Sequence, residues 1–195
     1  MGFERTDTGR IVLRVGELER TMLRSLAQQV RDLVAPPEPT GPIDPLQAMV
    51  GIDPTAQRPE DPALARLLPD AYRGDEEAAA EFRRFTERSL RDTKVAHATA
   101  VLEHLERSGE KVVISADEAT SWLGFLNDAR LALGTRIGIT EENHEELATL
   151  PDDDPRGASF QVYNWLTYLQ DSLLEALMEI DLTEDAPTED DPTED

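Results

Sequence analysis

WLGFLNDARLALGTRIGI, residues 122–139, reads mostly as a buried helix, yet Asn127, Asp128, Arg130 and Arg136 interrupt its apolar residues. Burying an ionised group costs several kcal/mol unless it is paired or left at a rim. These four residues therefore require partners. Asn127 and Arg130 are three apart and share a face, while Trp122 and Leu126, four apart, share a neighbouring one. One expectation is an internal polar network that ties this helix to the turn at Thr135 and Arg136 and to another helix through Asn164 or Asp171. The other is a notch that receives a partner or ligand.

Reading outward, Ser115 and Glu118 match a capping box, in which hydroxyl and carboxylate satisfy opposite free amides. They start the helix, and Gly134 is predicted to end it. Before it, Lys111 to Ile114 form a short strand candidate. Residues 75–107 read as the longest helix, stopped by Ser108 and Gly109. Phe82, Phe85, Ser89, Ala96 and Ala100 follow one stripe, widened by Leu90, Val101 and Leu105. Thr140 caps a short acidic helix closed by Pro151. A last helix over 158–180 carries Val162, Leu166, Leu169, Leu173, Leu177 and Ile180 on one face. At the other end, residues 10–15 (RIVLRV) pair with Phe3 to Thr6 across a turn at Asp7 to Gly9. Residues 16–35 then turn helical, with Leu18, Met22, Leu26, Val30 and Leu33 as the apolar stripe, until Pro36 and Pro37 stop it.

Residues 36–69 hold nine of the thirteen prolines and form a long connection. Ile43, Leu46, Met49, Val50 and Ile52 are its apolar anchors, and a short helix over 61–68 has Asp61 as cap and Pro62 in its first turn. The expected fold is mainly α. One domain over 1–180 packs about four main helices, with a small two- or three-stranded β-sheet at one edge drawn from residues 3–15 and 111–114. The acidic tail, 181–195, repeats Thr-Glu-Asp and is expected to be disordered.

The formal net charge is −22, and the tail's eight acids leave −14 on residues 1–180. A body this acidic repels phosphate backbones, which argues against nucleic acid as the partner. No apolar run reaches the roughly 18 residues of a membrane span. The polar start lacks a signal peptide's apolar stretch, so a cytoplasmic location is expected. Without cysteine the chain has no disulfide, thiolate zinc site or thiol nucleophile. His97 and His104 lie seven apart on one helix, about 10 Å, too far for one metal ion. His144 falls on an acidic helix face. Asp152, Asp153 and Asp154 lack the spacing and glycine of a calcium loop. There is no nucleophile elbow, and Gly134 to Gly138 lack the lysine and flanks of a phosphate loop. No catalytic residue, metal or cofactor is expected.

Arg84, Arg88 and Arg91 recur at spacings of four and three on the long helix, near Glu81 and Glu87. They read as a solvated, salt-bridged face or as a socket for an acidic partner or for the chain's own tail.

The stretches DPALARLLPDAYRGDEEAAAEFRRFTE (61–87), residues 122–139 and VYNWLTYLQDSLLEAL (162–177) resemble an actinobacterial family of unknown function. The likeness covers most of residues 10–180. Members of that family are typically encoded beside the Clp protease adaptor that delivers N-degron substrates, which implies a role near regulated proteolysis. The family has no established activity, so no residue role carries over. The function expected is a non-enzymatic interaction or accessory protein that meets a protein partner through helix faces, and it predicts an exposed apolar patch rimmed by arginine and larger than a few hundred Å². One alternative is a self-associating structural protein with a symmetric helical interface. The other is a small-molecule binder or enzyme with a pocket near Asn127, Arg130 and Arg136.

Overall fold

The hairpin at the start of the chain forms at the expected place. In the computed structural model, which describes residues 2–37, 52–53, 56–107, 109, 111–151 and 154–184, β1 (Gly2–Arg5) and β2 (Ile11–Arg14) run antiparallel with Phe3 opposite Leu13. The Arg10 carbonyl accepts from the Thr6 amide at 2.8 Å, and Gly9 takes the left-handed conformation that the turn needs. β3 (Lys111–Ile114) adds to the other edge of β2, with Val112 opposite Leu13, in the order β1-β2-β3. Alternation sends Ile11, Leu13, Val112 and Ile114 into the core and leaves Val113 outside.

Six helices follow among the described residues: α1 (Glu17–Val34), α2 (Pro62–Leu67), α3 (Glu76–Arg107), α4 (Ala116–Ile137), α5 (His144–Ala148) and α6 (Pro155–Glu184). The molecule is mainly α with a small antiparallel sheet, as expected. α4 is the central helix and touches α1, α2, α3 and α6. Trp122, Phe125 and Leu126 on it are wholly buried, with Phe3 of β1 edge-on to Trp122 at 5.4 Å between ring centres. The main core joins the sheet to α1, α3, α4 and α6, and a smaller one places Ala63 and Leu67 of α2 against Val34 and Ala132. β1 is fastened to α6, where the Phe3 amide donates to Ser172 Oγ at 3.1 Å. Position 2 must be glycine, because its φ is 130° and a Cβ there would stand 2.9 Å from Tyr168 Oη.

The local start signals were well founded. Ser115 Oγ accepts from the Glu118 amide at 3.2 Å, and Glu118 Oε2 accepts from the Ser115 amide at 2.7 Å. Asp61 Oδ1 accepts from Leu64 at 2.9 Å with Pro62 in the first turn of α2. Three stop or start assignments need correction. α4 does not end at Gly134. It continues to Ile137 and ends on Gly138, whose φ of 70° closes the helix. Gly134 is instead a place of close approach, where a Cβ would come within 3.2 Å of the Tyr163 ring on α6. Thr140 precedes α5 by a turn, exchanging hydrogen bonds with Asn143, which occupies the cap position. α6 begins at Pro155, where proline suits a first turn, and runs to Glu184, so residues 181–184 continue the helix that was expected to have ended.

Two apolar stripes are displaced. On α1 the buried apolar residues are Leu23, Ala27, Val30 and Val34, while Leu18 is 77% exposed. A row spaced strictly by four drifts around a helix of 3.6 residues per turn, so Leu18 and Val30 cannot both face one core. On α3, Phe82 and Phe85 stay outside while Ala79, Arg83, Glu87 and Arg91 are buried. The expectations for Ile43, Leu46, Met49 and Val50 and for the tail beyond residue 184 lie outside the described residues.

Candidate functional site

The polar residues of α4 find partners, but separately. Asp128 is 1% exposed and accepts from Lys94 Nζ of α3 at 2.6 Å. Its other oxygen has no hydrogen-bond partner among the described residues. Burial raises its pKa, and the nearby Lys94 and His97 offset part of that rise. The same burial lowers His97, whose ring lies so close to Gly124 that a Cβ there would overlap it. Arg130 donates to Gln170 of α6 at 3.1 Å and sits 5.6 Å from the centre of the Tyr163 ring, a cation–π distance. Arg136 is exposed and reaches Asp61 at 3.4 Å. Asn127 is half-buried, and Asn164 and Asp171 are exposed. The link from α4 to α6 therefore runs through Gln170 rather than through Asn164 or Asp171. Among the described residues Arg130 and Arg136 turn to different partners, Gln170 and Asp61.

His104 has a structural duty. Trp122 Nε1 donates to its Nδ1 at 3.1 Å, and its Nε2 faces Glu118 Oε1 at 3.4 Å. Glu118 is thus shared between the cap of α4 and a histidine of α3. The Ser115 backbone and hydroxyl, followed by His104, hold the Glu118 pKa below the ordinary glutamate value. A carboxylate whose pKa falls on folding stabilises the fold above its unfolded value, and that contribution is lost as pH falls through the lower folded value. Glu118→Gln should therefore lower the melting temperature near neutral pH. It should also flatten the acid limb of a melting-temperature profile, and an unchanged limb would contradict this role.

The arginines of α3 divide by face. Arg83 and Arg91 are buried on either side of buried Glu87. Arg83 pairs with Glu87 and with Asp70 at 2.8 Å and donates to the Leu68 carbonyl at 3.0 Å. Arg91 pairs with Glu87 at 2.9 Å and donates to the carbonyls of Val34 and Ala35, both at 3.2 Å. The last carbonyls of α1 are thereby satisfied by a cation. Arg58 extends the row to Asp70 at 3.6 Å. This ladder of alternating charge binds the end of α1, the α2–α3 turn and α3. Arg91 thus belongs to the interior, so of the expected solvated row of Arg84, Arg88 and Arg91 only the first two are exposed. Arg84 and Arg88 are exposed, and neither pairs with Glu81 or with any other acid among the described residues.

Because the ladder takes the inward face of α3, the aromatic residues beside it turn outward. Tyr72, Phe82, Phe85 and Leu90 are 50%, 45%, 54% and 38% exposed. Tyr72 meets Phe82 edge-on at 5.9 Å between ring centres. A cleft of about 230 Å³ opens between α3 and residues 68–71, walled by Leu68, Pro69, Ala71, Phe82, Thr86 and Leu90 with the Arg83–Glu87 pair at its base. Arg73, Arg84 and Arg88 are exposed and form no ion pair among the described residues, and at about 100° per residue Arg84 and Arg88 lie on the far side of α3 from the residues that line the cleft. The exposed apolar side chains of α3 here are Phe82 and Phe85, the residues first read as its core stripe, with Leu90 that was read as widening it.

Residues 1–177 match a family described as a domain of unknown function, DUF2017. The chain belongs to that family. Curated relatives of this DUF2017 protein include the oxidative stress regulator AosR of Mycobacterium tuberculosis (strain ATCC 25618 / H37Rv), 34% identical over 174 residues that make up 82% of this chain and 78% of that protein. The protein of the same name from Mycobacterium bovis has the same identity and coverage. The putative oxidative stress regulator AosR of Mycobacterium leprae is 35% identical over 82% of this chain and 79% of its own length. No solved structure matches this DUF2017 chain. Among the described residues, no group of three or more histidines and acids is placed to hold a metal ion. No described helix is long and apolar enough to cross a membrane.

Proposed function

We propose that this chain is a non-enzymatic regulatory protein that acts by binding another protein through the outer face of α3. The observation that carries the reading is the outward display of Tyr72, Phe82, Phe85 and Leu90, each more than a third exposed. Contiguous exposed aromatic surface rimmed by charge is a recurrent mark of protein interfaces, and aromatic residues and arginine supply most hot spots. The curated relatives are named as oxidative stress regulators, which supports a regulatory role. This chain contains no cysteine, so a thiol–disulfide switch within it is chemically unavailable. Regulation by contact needs no such group. The Clp neighbourhood implied by the family resemblance would make a component of regulated proteolysis one candidate partner.

Phe82→Ser combined with Phe85→Ser is expected to leave the melting temperature within a few degrees of the parent, since both rings are about half in solvent. The same double variant, replacing the chromosomal copy, should behave as a deletion in survival of peroxide challenge. A variant that folds normally and restores full survival would overturn the reading.

A further inference from the structure

We infer that the groove between α4 and α6 binds a small monocarboxylate with an apolar body. This site is separate from the outer face of α3. At about 100° per residue, Leu123, Asn127 and Arg130 fall within about 60° of one another on α4, and Tyr163, Gln170 and Leu174 within about 40° on α6. Arg130 meets Gln170 and Gly134 meets Tyr163, so the two helices run antiparallel and these rows border one groove. Leu174 is 37% exposed and the other five are half-buried, so the groove is open to solvent.

Arg130 is the centre of the site. Its Nη1 donates to Gln170 Oε1 at 3.1 Å, its guanidinium stands 5.6 Å from the centre of the Tyr163 ring, and its Nε is buried with no hydrogen-bond partner among the described residues. Nor does Arg130 form an ion pair among them, although the chain holds 41 acids. A half-buried cation without an anion keeps a desolvation cost that a ring face and a neutral amide offset only in part. The Nη2 group makes no hydrogen bond among the described residues. Because arginine only donates, Gln170 accepts through Oε1, which leaves its Nε2 protons for another acceptor. The Asn127 amide, one turn from Arg130, makes no hydrogen bond among the described residues either. The groove thus gathers open donors and one positive charge. The neighbouring acids point elsewhere: Asp128 and Asp171 lie about 100° round their helices from Asn127 and Gln170, and Asp128 is held by Lys94. A carboxylate suits such a set, since its two oxygens accept from a guanidinium and from nearby amides together. Leu123 and Leu174 flank the donors and form an apolar bed for the rest of the ligand. From Leu123 to Arg130 is about 10 Å along α4, the length of an aromatic ring or a short alkyl chain with its carboxylate. One cation in a chain of net charge −22 favours a single negative charge over two.

The test follows the side-chain N–H signals of Arg130, Asn127 and Gln170 by nuclear magnetic resonance in the isotope-labelled full chain, titrated with benzoate, acetate and benzamide. Benzoate is expected to shift all three signals saturably. Acetate lacks the apolar body and benzamide lacks the charge, so each should bind about tenfold or more weakly than benzoate. Arg130→Gln should weaken benzoate by about tenfold or more. Should that variant lose the fold, Asn127→Asp takes its place. It sets a negative charge in the groove at a half-exposed position and should abolish benzoate binding at an unchanged melting temperature. Signals unmoved by millimolar benzoate would overturn the inference. So would benzamide or acetate binding as tightly as benzoate, or benzoate affinity unchanged in the folded variants.

Discussion

Glu87→Ala should cost the fold about 3–5 kcal/mol, the range for removing one partner of a buried ion pair. Glu87 is 8% exposed, and it separates Arg83 and Arg91, each 6% exposed. Truncating it leaves two guanidinium groups in the interior, with Asp70 and the carbonyls of Leu68, Val34 and Ala35 as their remaining partners. The loss is that of stranded charges and exceeds the worth of the pair itself. Urea denaturation should show a lower midpoint at an unchanged slope. A triple replacement, Arg83→Met with Glu87→Leu and Arg91→Met, should recover most of the stability, because an apolar set of similar volume removes the stranded charge. An alanine variant within about 1 kcal/mol of the parent would mean that water reaches the ladder and screens it.

Trp122→Ala should cost a similar amount, about 3–5 kcal/mol, for a different reason. The ring has no exposed surface and meets Phe3 of β1, Phe125 of α4 and His104 of α3. Its loss opens a cavity where the sheet, α3 and α4 converge, and it strands the His104 Nδ1 that accepts the indole proton. Trp122→Phe fills much of the volume but removes that donor, so it should fall between the parent and the alanine variant. Calorimetry measures both. An alanine variant that loses less than about 2 kcal/mol would show that the neighbouring elements collapse into the space, which β1 fixed to Ser172 should prevent.

The parts of this fold that were legible in the sequence are those decided by near neighbours. Ser115 with Glu118, Asp61 with Pro62, and the alternating residues 10–15 each carry their chemistry within a few positions. The buried character of α4 was also legible, since its apolar residues outnumber what one face can hold. Gly134 was misread because a helix stop and a close helix–helix contact use the same residue, and only the position of Tyr163 distinguishes them. Asp128 demanded a partner, but Lys94 is 34 residues away on another helix, and sequence spacing does not reveal a crossing.

The face of α3 was read inside out for a related reason. Hydrophobicity assigns Phe82 and Phe85 to the core and Arg83, Glu87 and Arg91 to water. The burial of the charged row depends on Asp70, the Leu68 carbonyl and the end of α1, all supplied by tertiary structure. The arginine–glutamate–arginine spacing of four was visible, and it is equally the signature of a solvated salt-bridged helix. The exposed aromatic surface follows directly from that inversion, so the candidate site was hidden in the same residues as the error.

The most direct measurement places a photoreactive benzoylphenylalanine at position 85 in the living cell, with position 18 on α1, which is more open to solvent, as the reference. Irradiation should give a discrete adduct with a different protein from position 85, none from position 18, and a weaker one when Phe82 is serine. No adduct from position 85, or the same adducts from both positions, would contradict the claim that this molecule works through the outer face of α3.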